Sequence, residues 1–199
     1  MAGTWTAILF DDTPISISSL NSVSYSSIEE FERIAAQQIR EDGVQSKYDT
    51  VIRIQGKDRY QTALNIVKEG WTYSDFAVIA SGENYADALF AGPLASEVKA
   101  PLLLTKREEL PDGLINMLKE LKVVSVYLVG GEQSVSPAVM KELQDQGFAV
   151  VRVAGRNRIE TAGLVSRRIA GLRGIQILGD VPSFIVSETG FADALSAGP

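Results

Sequence analysis

The sequence contains neither cysteine nor histidine. Without cysteine the chain has no disulfides, no thiolate metal site and no cysteine nucleophile. Without histidine it lacks Ser-His-Asp catalysis, His-ligated zinc and the usual general base near neutral pH. Several common classes of hydrolase and metalloenzyme are therefore excluded.

Long apolar runs and an excess of positive charge are also missing. The 199 residues include no run of about eighteen apolar residues, the length that a membrane span needs. The start, MAGTWTAILFDDTP, lacks the basic region and long apolar core of a signal peptide. We therefore expect either a cytosolic protein or a piece of a longer chain, and the abrupt end at Pro199 favours the piece. The net charge of −6 argues against broad nucleic-acid binding unless positive charge is strongly localised.

Two pairs of segments recur along the chain. Residues 53–63, RIQGKDRYQTA, match residues 152–162, RVAGRNRIETA, and residues 85–93, YADALFAGP, match residues 191–199, FADALSAGP. This pattern indicates tandem repeats of a domain-sized unit, and repeat arrays usually bind a partner.

We predict three regions from this duplication. Residues 51–150 form a complete repeat, and residues 151–199 form a truncated second repeat. Residues 1–50 form either a lead-in or the diverged end of a preceding repeat.

Short apolar runs alternate with helical patterns after residue 50, which predicts an α/β fold of tandem Rossmann-like or Toprim-like units with mainly parallel sheets. The predicted strands are Val51–Ile54, Phe76–Ala80, Pro101–Thr105, Ser125–Val129 and Ala149–Val153. The predicted helices cover about 59–69, 85–98, 112–121 and 137–146.

Particular residues support these helices. Leu114, Leu118 and Leu121 have the spacing of one buried helix face. Ser136 is expected to cap the last helix, with proline at its first position and glycine after its end. Pro93 lies inside a helical pattern and predicts a kink or a break.

Two hypotheses describe the role of the arginines in the repeated segment. A guanidinium group binds phosphate or carboxylate in a bidentate manner, so two arginines per repeat can form an anion site. Alternatively, they join one unit to the next through buried ion pairs with Asp87 or Asp193. The two readings are compatible if the groove between units is also the ligand site. The residues concerned are Arg53, Arg59, Arg152 and Arg158.

Other polar features are more simply structural. Asp87 and Asp193 lie near helix N-termini, where a carboxylate can cap free N–H groups. No D-x-D or EF-hand spacing suggests a metal site. Ser81 has no histidine partner, and Gly130-Gly131 lacks the dinucleotide and P-loop patterns. Six arginines between Arg152 and Gly174 form either a solvated helix face or a positive patch for an anionic polymer.

Taken together, the R-x-x-G-x-x-R-[YI]-x-T-A segments, the ADAL-x-AGP segments, APLLLT and VYLVGGEQSVSPAV resemble the cell wall-binding repeat type 2 family. The resemblance covers residues 51–199. The family occurs in secreted bacterial surface proteins, notably of clostridia, usually as three repeats packed around a pseudo-threefold axis.

The resemblance implies noncovalent anchoring of an extracellular surface protein to an anionic cell-wall polysaccharide, without enzymatic activity, cofactor or metal. The other repeats of the parent chain would be its partners. A proline-leucine motif near the grooves between units is associated with polymer binding. It falls here on Pro101, Leu102, Leu103 and Leu104. The motif arginines are assigned to contacts between units and with the ligand, and Thr62, Asp87, Thr161 and Asp193 to structural contacts between repeats.

Two features depart from the family pattern. Only one unit is complete, and the net negative charge opposes an anionic ligand. A Rossmann-like enzyme that uses a small molecule or nucleotide, and a purely structural adhesion or assembly repeat, are the alternative functions.

Overall fold

The computed structural model of the protein describes residues 53–175. Residues 1–52, Asp193 and the rest of the second repeat from residue 176 onward lie outside the described residues, with the predictions made for them. Within the described residues, five helices alternate with four strands. The elements are α1 (Arg59–Gly70), β1 (Phe76–Ser81), α2 (Tyr85–Glu97), β2 (Leu102–Thr105), α3 (Leu114–Glu120), β3 (Ser125–Val129), α4 (Pro137–Asp145), β4 (Ala149–Val153) and α5 (Arg158–Leu172).

The four strands form one parallel sheet in the order β2-β1-β3-β4. Val78 of the central strand β1 lies beside Leu102 of β2 and Tyr127 of β3. Because every strand runs in the same direction, all four carboxyl ends meet at one edge of the sheet. Ligands of open α/β sheets bind at that edge.

Helices cover both faces of this sheet. On one face, α1, α3 and α4 pack through residues such as Leu64, Leu118 and Leu143 against Ile79 and other apolar side chains of the strands. On the other face, α2 and α5 pack against the alternate strand residues, including Tyr127 and Val153. Burial on both faces explains why the strands read as continuous apolar runs. The predicted α/β fold with a parallel sheet is confirmed.

Most predicted boundaries agree with the structure to within two residues. The predicted face of Leu114, Leu118 and Leu121 is buried. Ser136 caps α4 by accepting from the Val139 N–H. Helix α3 begins later than expected because Gly113 takes a left-handed conformation, with φ of 88°, at its N-cap.

Two local predictions differ from the structure. Pro93 predicts a kink or a break, and helix α2 continues through this residue without a break. The side chain of this proline is exposed. Arg53 and Ile54 are not in a strand. In the second repeat, the counterpart of the predicted strand Val51–Ile54 is β4. This strand pairs with β3, which precedes it in sequence. The segment preceding Arg53 lies outside the described residues.

The folded unit is offset from the sequence repeat. The repeat boundary predicted after residue 150 falls inside β4, and this strand pairs with β3 of the first repeat. Helix α5 also belongs to the second repeat, yet Val165 packs in the same core cluster as Leu94 of α2. The strand β4 and the helix α5, which the sequence duplication assigns to the second repeat, therefore pack on the sheet and on a helix of the first.

Candidate functional site

The repeated motif builds the same turn from loop to helix in both copies. The Thr62 hydroxyl accepts from the Gly56 N–H at 2.9 Å and donates to the carbonyl of the helix N-cap at 2.8 Å. The Thr161 hydroxyl accepts from the Gly155 N–H at 2.9 Å and donates to its N-cap carbonyl at 3.0 Å. A Cβ atom on either glycine would lie within 2.6 Å of the first helical turn. Glycine and threonine are thus required by the turn itself.

The N-caps of α1 and α5 are also equivalent. Asp58 accepts from the Gln61 N–H at 2.8 Å, and Asn157 accepts from the Glu160 N–H at 2.9 Å. Their backbone φ angles, −153° and −149°, are nearly the same. Each cap satisfies one of the free N–H groups of the first turn.

The motif arginines lie in different surroundings. Arg59 donates to the Gly82 carbonyl at the end of β1. Arg152 donates from Nη1 to the Gly130 and Val135 carbonyls at 2.8 Å each, and from Nη2 to the Ser136 carbonyl at 3.4 Å. Burial lowers the pKa of this guanidinium group. Arg152 therefore holds the loop between β3 and α4 in place.

The remaining two motif arginines are exposed at the surface. Arg53 precedes the motif turn, and no hydrogen bond or ion pair to it is found among residues 53–175. Arg158 begins α5. Burial raises the pKa of Asp87 of the first repeat, and the charge of Arg158 offsets part of that rise. The structure thus brings Arg158 of one repeat toward Asp87 of the other.

Asp87 is buried, with 5% of its surface exposed. It does not cap α2 as expected, because Asn84 occupies the N-cap and accepts from the Ala86 N–H at 3.2 Å. Burial raises the pKa of Asp87, while a hydrogen bond with Ser134 and the charge of Arg158 act in the opposite direction.

The proline-leucine motif lies mostly in the core. Pro101 is buried and Leu103 is fully buried, whereas Leu102 and Leu104 are half-buried. The Pro101 carbonyl accepts from the Val78 N–H, which begins the pairing of β2 with β1. A ligand role for these four residues stays a prediction, and the loop that follows them is more accessible.

A polar cleft of about 160 Å³ opens between the motif turn and this loop. Its lining includes Lys57, Tyr60 and Gln61 from the motif, and Lys106, Glu109 and Asp112 from the loop after β2. The Tyr60 ring covers Gly82, where a Cβ atom would lie 2.5 Å from its Cε1. Burial, followed by the charge of Glu83, raises the pKa of Tyr60.

Sequence reasoning missed this cleft because it weighed the repeated positions of the motif rather than the variable ones between them. The signal that could have revealed it was topological. The start of α1 and the end of β2 both lie near the carboxyl edge of the parallel sheet, where ligand sites form.

The arginine-rich stretch of the second repeat is largely used within the fold. Arg156, which precedes α5, pairs at 3.1 Å with a glutamate in the first turn of that helix, and Arg173 pairs with Glu97 of α2. The Arg168 guanidinium lies 5.1 Å from the centre of the Tyr127 ring and donates to its hydroxyl at 2.9 Å. These contacts leave less free positive charge than the sequence suggested.

Features of a catalytic or phosphate site take structural roles. The Ser81 hydroxyl accepts from the Glu83 and Asn84 N–H groups and closes the turn before α2. Gly130, with φ of 118°, lies against the Asp87 carboxyl group, which would repel a phosphate. Over residues 53–175, no group of three potential metal ligands occurs, and no helix is long and apolar enough to cross a membrane.

Comparisons with known proteins relate this fold to cell-wall proteins. The sequence profile of the family "Cell wall binding domain 2 (CWB2)" matches residues 53–140. The N-acetylmuramoyl-L-alanine amidase LytC of Bacillus subtilis (strain 168) is 35% identical over 142 residues, which cover 69% of this chain and 29% of the amidase. Cwp6 from Clostridium difficile is structurally similar, with a TM-score of 0.57 and 30% identity over 65% of this chain and 22% of that protein. Cwp8 from the same organism also gives a TM-score of 0.57, with 27% identity over 69% of this chain and 24% of its own.

The chain spans less than a third of the length of each of these relatives. The similarity therefore concerns one region of each, and the amidase activity in the name of LytC belongs to that protein. The family match begins at Arg53, the first residue of the repeated motif, and includes the cleft. Through residues 53–140, the chain belongs to the cell wall binding domain 2 family.

Proposed function

We propose that this chain is a non-catalytic module that anchors a bacterial surface protein noncovalently to an anionic cell-wall polymer. The observation that carries the proposal is the family match over residues 53–140, together with the motif turn built alike in both repeats. The similarity to Cwp6 and Cwp8 supports the same conclusion. Such a module would act outside the cell, at the wall, beside the other repeats of its parent protein.

The polymer contact that the geometry favours is the cleft between the motif turn and the loop after β2. Lys57 and Lys106 place two cations in its lining. Three carboxylates also line it, but Asp58 accepts from a helix N–H, Glu109 pairs with Lys106, and the charge of Asp112 also acts on Lys106. Exposed Lys57 therefore supplies a cation that can meet the polymer directly.

For the motif arginines we propose a division of roles. Arg152 and Arg158 join the second repeat to the first, since one holds the β3–α4 loop and the other acts on Asp87. Exposed Arg53 contributes a further positive charge to the polymer surface. Arg59 orients the motif turn against the end of β1.

Binding of this kind is weak at each site and gains strength from repetition. Several shallow contacts along one polymer add through the high effective concentration of linked sites. Because the contacts are exposed and charged, salt screens them over a Debye length of about 8–10 Å. We expect retention on walls to fall steadily as salt is raised.

The test is cosedimentation of the full chain with purified cell walls. The variant Lys57→Gln/Lys106→Gln removes both cleft cations while keeping side-chain length. Each exposed charge contact contributes up to about 1 kcal/mol, so we expect a two- to fivefold loss of affinity per lysine. Lys68→Gln is the control for the loss expected per lysine, because it removes one positive charge from the opposite end of α1.

Equal retention of the double variant and the native chain would contradict the placement of the polymer in the cleft. An equal loss in Lys68→Gln would show that net charge, and not the cleft, governs binding. A structural adhesion role without polymer binding would give retention that is independent of both lysines and of salt.

A further inference from the structure

The helix that follows the repeated motif buries different faces in the two repeats. In α1, Leu64 and Val67 are buried and belong to the same core cluster as Ile79 of β1. In α5, Val165 is buried in the core cluster that contains Leu94 of α2. Because both helices begin with the same motif turn, this difference comes from their neighbours. The motif helix of the first repeat packs on its own sheet, and that of the second packs on the repeat before it.

The counterpart of each buried face is bare. Alignment of the two motifs pairs Ile66 of α1 with Val165 of α5. Ile66 is 45% exposed, whereas Val165 is 3% exposed. The same alignment pairs half-buried Tyr60 of α1 with Ile159 of α5, which is 61% exposed. The motif helix therefore has two apolar faces, and each copy covers a different one.

Three residues form the bare face of α5, namely Ile159, Gly163 and Ser166. Their spacing of i, i+4 and i+7 places them on one side of the helix, and all three are exposed. They occupy the positions by which α1 contacts its own sheet. A Cβ atom on Gly163 would have no other atom of the described residues within 4 Å. The side of α5 that corresponds to the sheet contact of α1 is thus open and shallow.

The sequence supplies a segment that fits this face. Counted back from the matching residues Asp87 and Asp193, residues 182–187 (PSFIVS) take the place of β1. This segment lies outside the described residues, and its centre, FIV, is apolar. Six residues of strand span about 20 Å, and a helix of 15 residues such as α5 spans about 22 Å. The segment is therefore long enough to run along the whole helix.

We propose that α5 is shared by two repeats. One face packs on α2 and the sheet of the first repeat, and the other face holds residues 182–187 of the second. The first contact is fixed by polar groups as well, since Arg168 donates to the Tyr127 hydroxyl at 2.9 Å and Arg173 pairs with Glu97. Consecutive repeats are then layered as sheet, helix and sheet. A single helix, and not a flexible linker, sets the orientation of one repeat to the next.

Cross-linking tests which segment covers the face, because the chain has no native cysteine. In the first repeat the Tyr60 ring covers Gly82, where a Cβ atom would lie 2.5 Å from Cε1. The matching pair in the second repeat is Ile159 and Glu188. We expect a short bis-maleimide to join Ile159→Cys to Glu188→Cys within one full-length chain. Ile159→Cys/Glu120→Cys is the control, because α3 and α5 lie on opposite faces of the sheet.

The yield decides the result. A yield comparable to that of Tyr60→Cys/Gly82→Cys supports the proposal. A yield no higher than that of the control pair would overturn it. Cross-links between two chains instead of within one would also overturn it, since the face would then bind a second copy.

Thiol labelling of single variants provides a second test. Relative to the same variants unfolded in urea, Ile159→Cys should react with a bulky maleimide at least about tenfold more slowly than Lys141→Cys, because the covering segment must open first. Lys141 lies on α4 and is exposed. Ile185 matches Ile79, which shares the core cluster of α1. Adding Ile185→Asp to Ile159→Cys should therefore abolish the protection, since a carboxylate resists burial against the helix.

Two results of the labelling would contradict the proposal. Equal rates for Ile159→Cys and Lys141→Cys would show that the face is bare. Protection that survives Ile185→Asp would show that something other than residues 182–187 covers it. Both cysteine positions are exposed, so these variants keep the packed core. Neither test requires a cell wall, and a failure of wall binding leaves both readouts intact.

Discussion

Replacing Arg152 tests whether a motif arginine belongs to the fold or to a ligand site. Arg152→Leu keeps much of the apolar stem and removes the guanidinium group. Three carbonyl oxygens lose their donor, two of them at 2.8 Å and one at 3.4 Å. These carbonyls belong to the loop between β3 and α4, which also contacts Asp87.

The expected magnitude follows from these bonds. A hydrogen bond to a charged group contributes about 1.5–3 kcal/mol, and the long contact adds little. Two such bonds set an upper limit of about 6 kcal/mol. The side chain is only half-buried, so water replaces part of what is lost, and the cost of burying the charge is recovered. We therefore expect Arg152→Leu to lower the free energy of unfolding by about 2–4 kcal/mol.

Equilibrium urea unfolding measures this change, and amide hydrogen exchange locates it. Faster exchange at Ser134 and Val135 should accompany the loss, since the loop that contains them is released. The free energy of unfolding of Arg152→Lys should lie between that of the native chain and that of Arg152→Leu, because an ammonium group keeps the charge but cannot reproduce the forked geometry of the guanidinium group. Arg167→Leu on the exposed side of α5 is the control, with an expected change within about 0.5 kcal/mol. A similarly small change for Arg152→Leu would refute the structural role and favour a ligand-binding one.

Two further predictions concern the turn before α5 and the ion pair between α2 and the end of α5. Thr161→Val should cost about 1–3 kcal/mol in urea unfolding, because it leaves the Gly155 N–H without its acceptor inside the protein. Thr62→Val should cost less, since that site is half-buried; equal losses would argue against this reasoning. Glu97→Gln removes the partner of Arg173, whose hydrogen bond holds the pKa of Glu97 below its usual range. The native chain should therefore be more stable than this variant at neutral pH, and the difference should vanish as pH falls through the lowered pKa; a difference that persists in acid would contradict the assignment.

Much of the fold could be predicted from sequence because its strands are buried on both faces. Segments such as Ser125–Val129 and Ala149–Val153 are short apolar runs bounded by turns, and their predicted limits match the structure. Helix signals such as Ser136 followed by proline act through local backbone geometry. Local rules therefore suffice for the elements and for the parallel sheet.

The partners of these elements could not be predicted in the same way. The duplication places β4 and α5 in the second repeat, whereas their packing places them on the sheet of the first. Sequence similarity does not tell which strand a segment pairs with. The same limit applies to Asp87, whose position near a helix N-terminus suggested a cap, although Asn84 fills that role.

The candidate site was predicted only in part. The roles predicted for the motif arginines, as contacts between units or with a ligand, stay predictions, and the structure shows only that Arg152 bonds to the β3–α4 loop whereas Arg53 is exposed. The cleft formed by Lys57, Tyr60 and Lys106 was missed, because it depends on two segments that lie far apart in sequence.

The most direct test of the central claim is cosedimentation of the full chain with two preparations of bacterial cell walls. One preparation is intact, and the other has been stripped of its anionic polymers. The proposed function predicts strong retention on intact walls at low salt, loss of retention on stripped walls, and release by salt. Undiminished retention on stripped walls would contradict it.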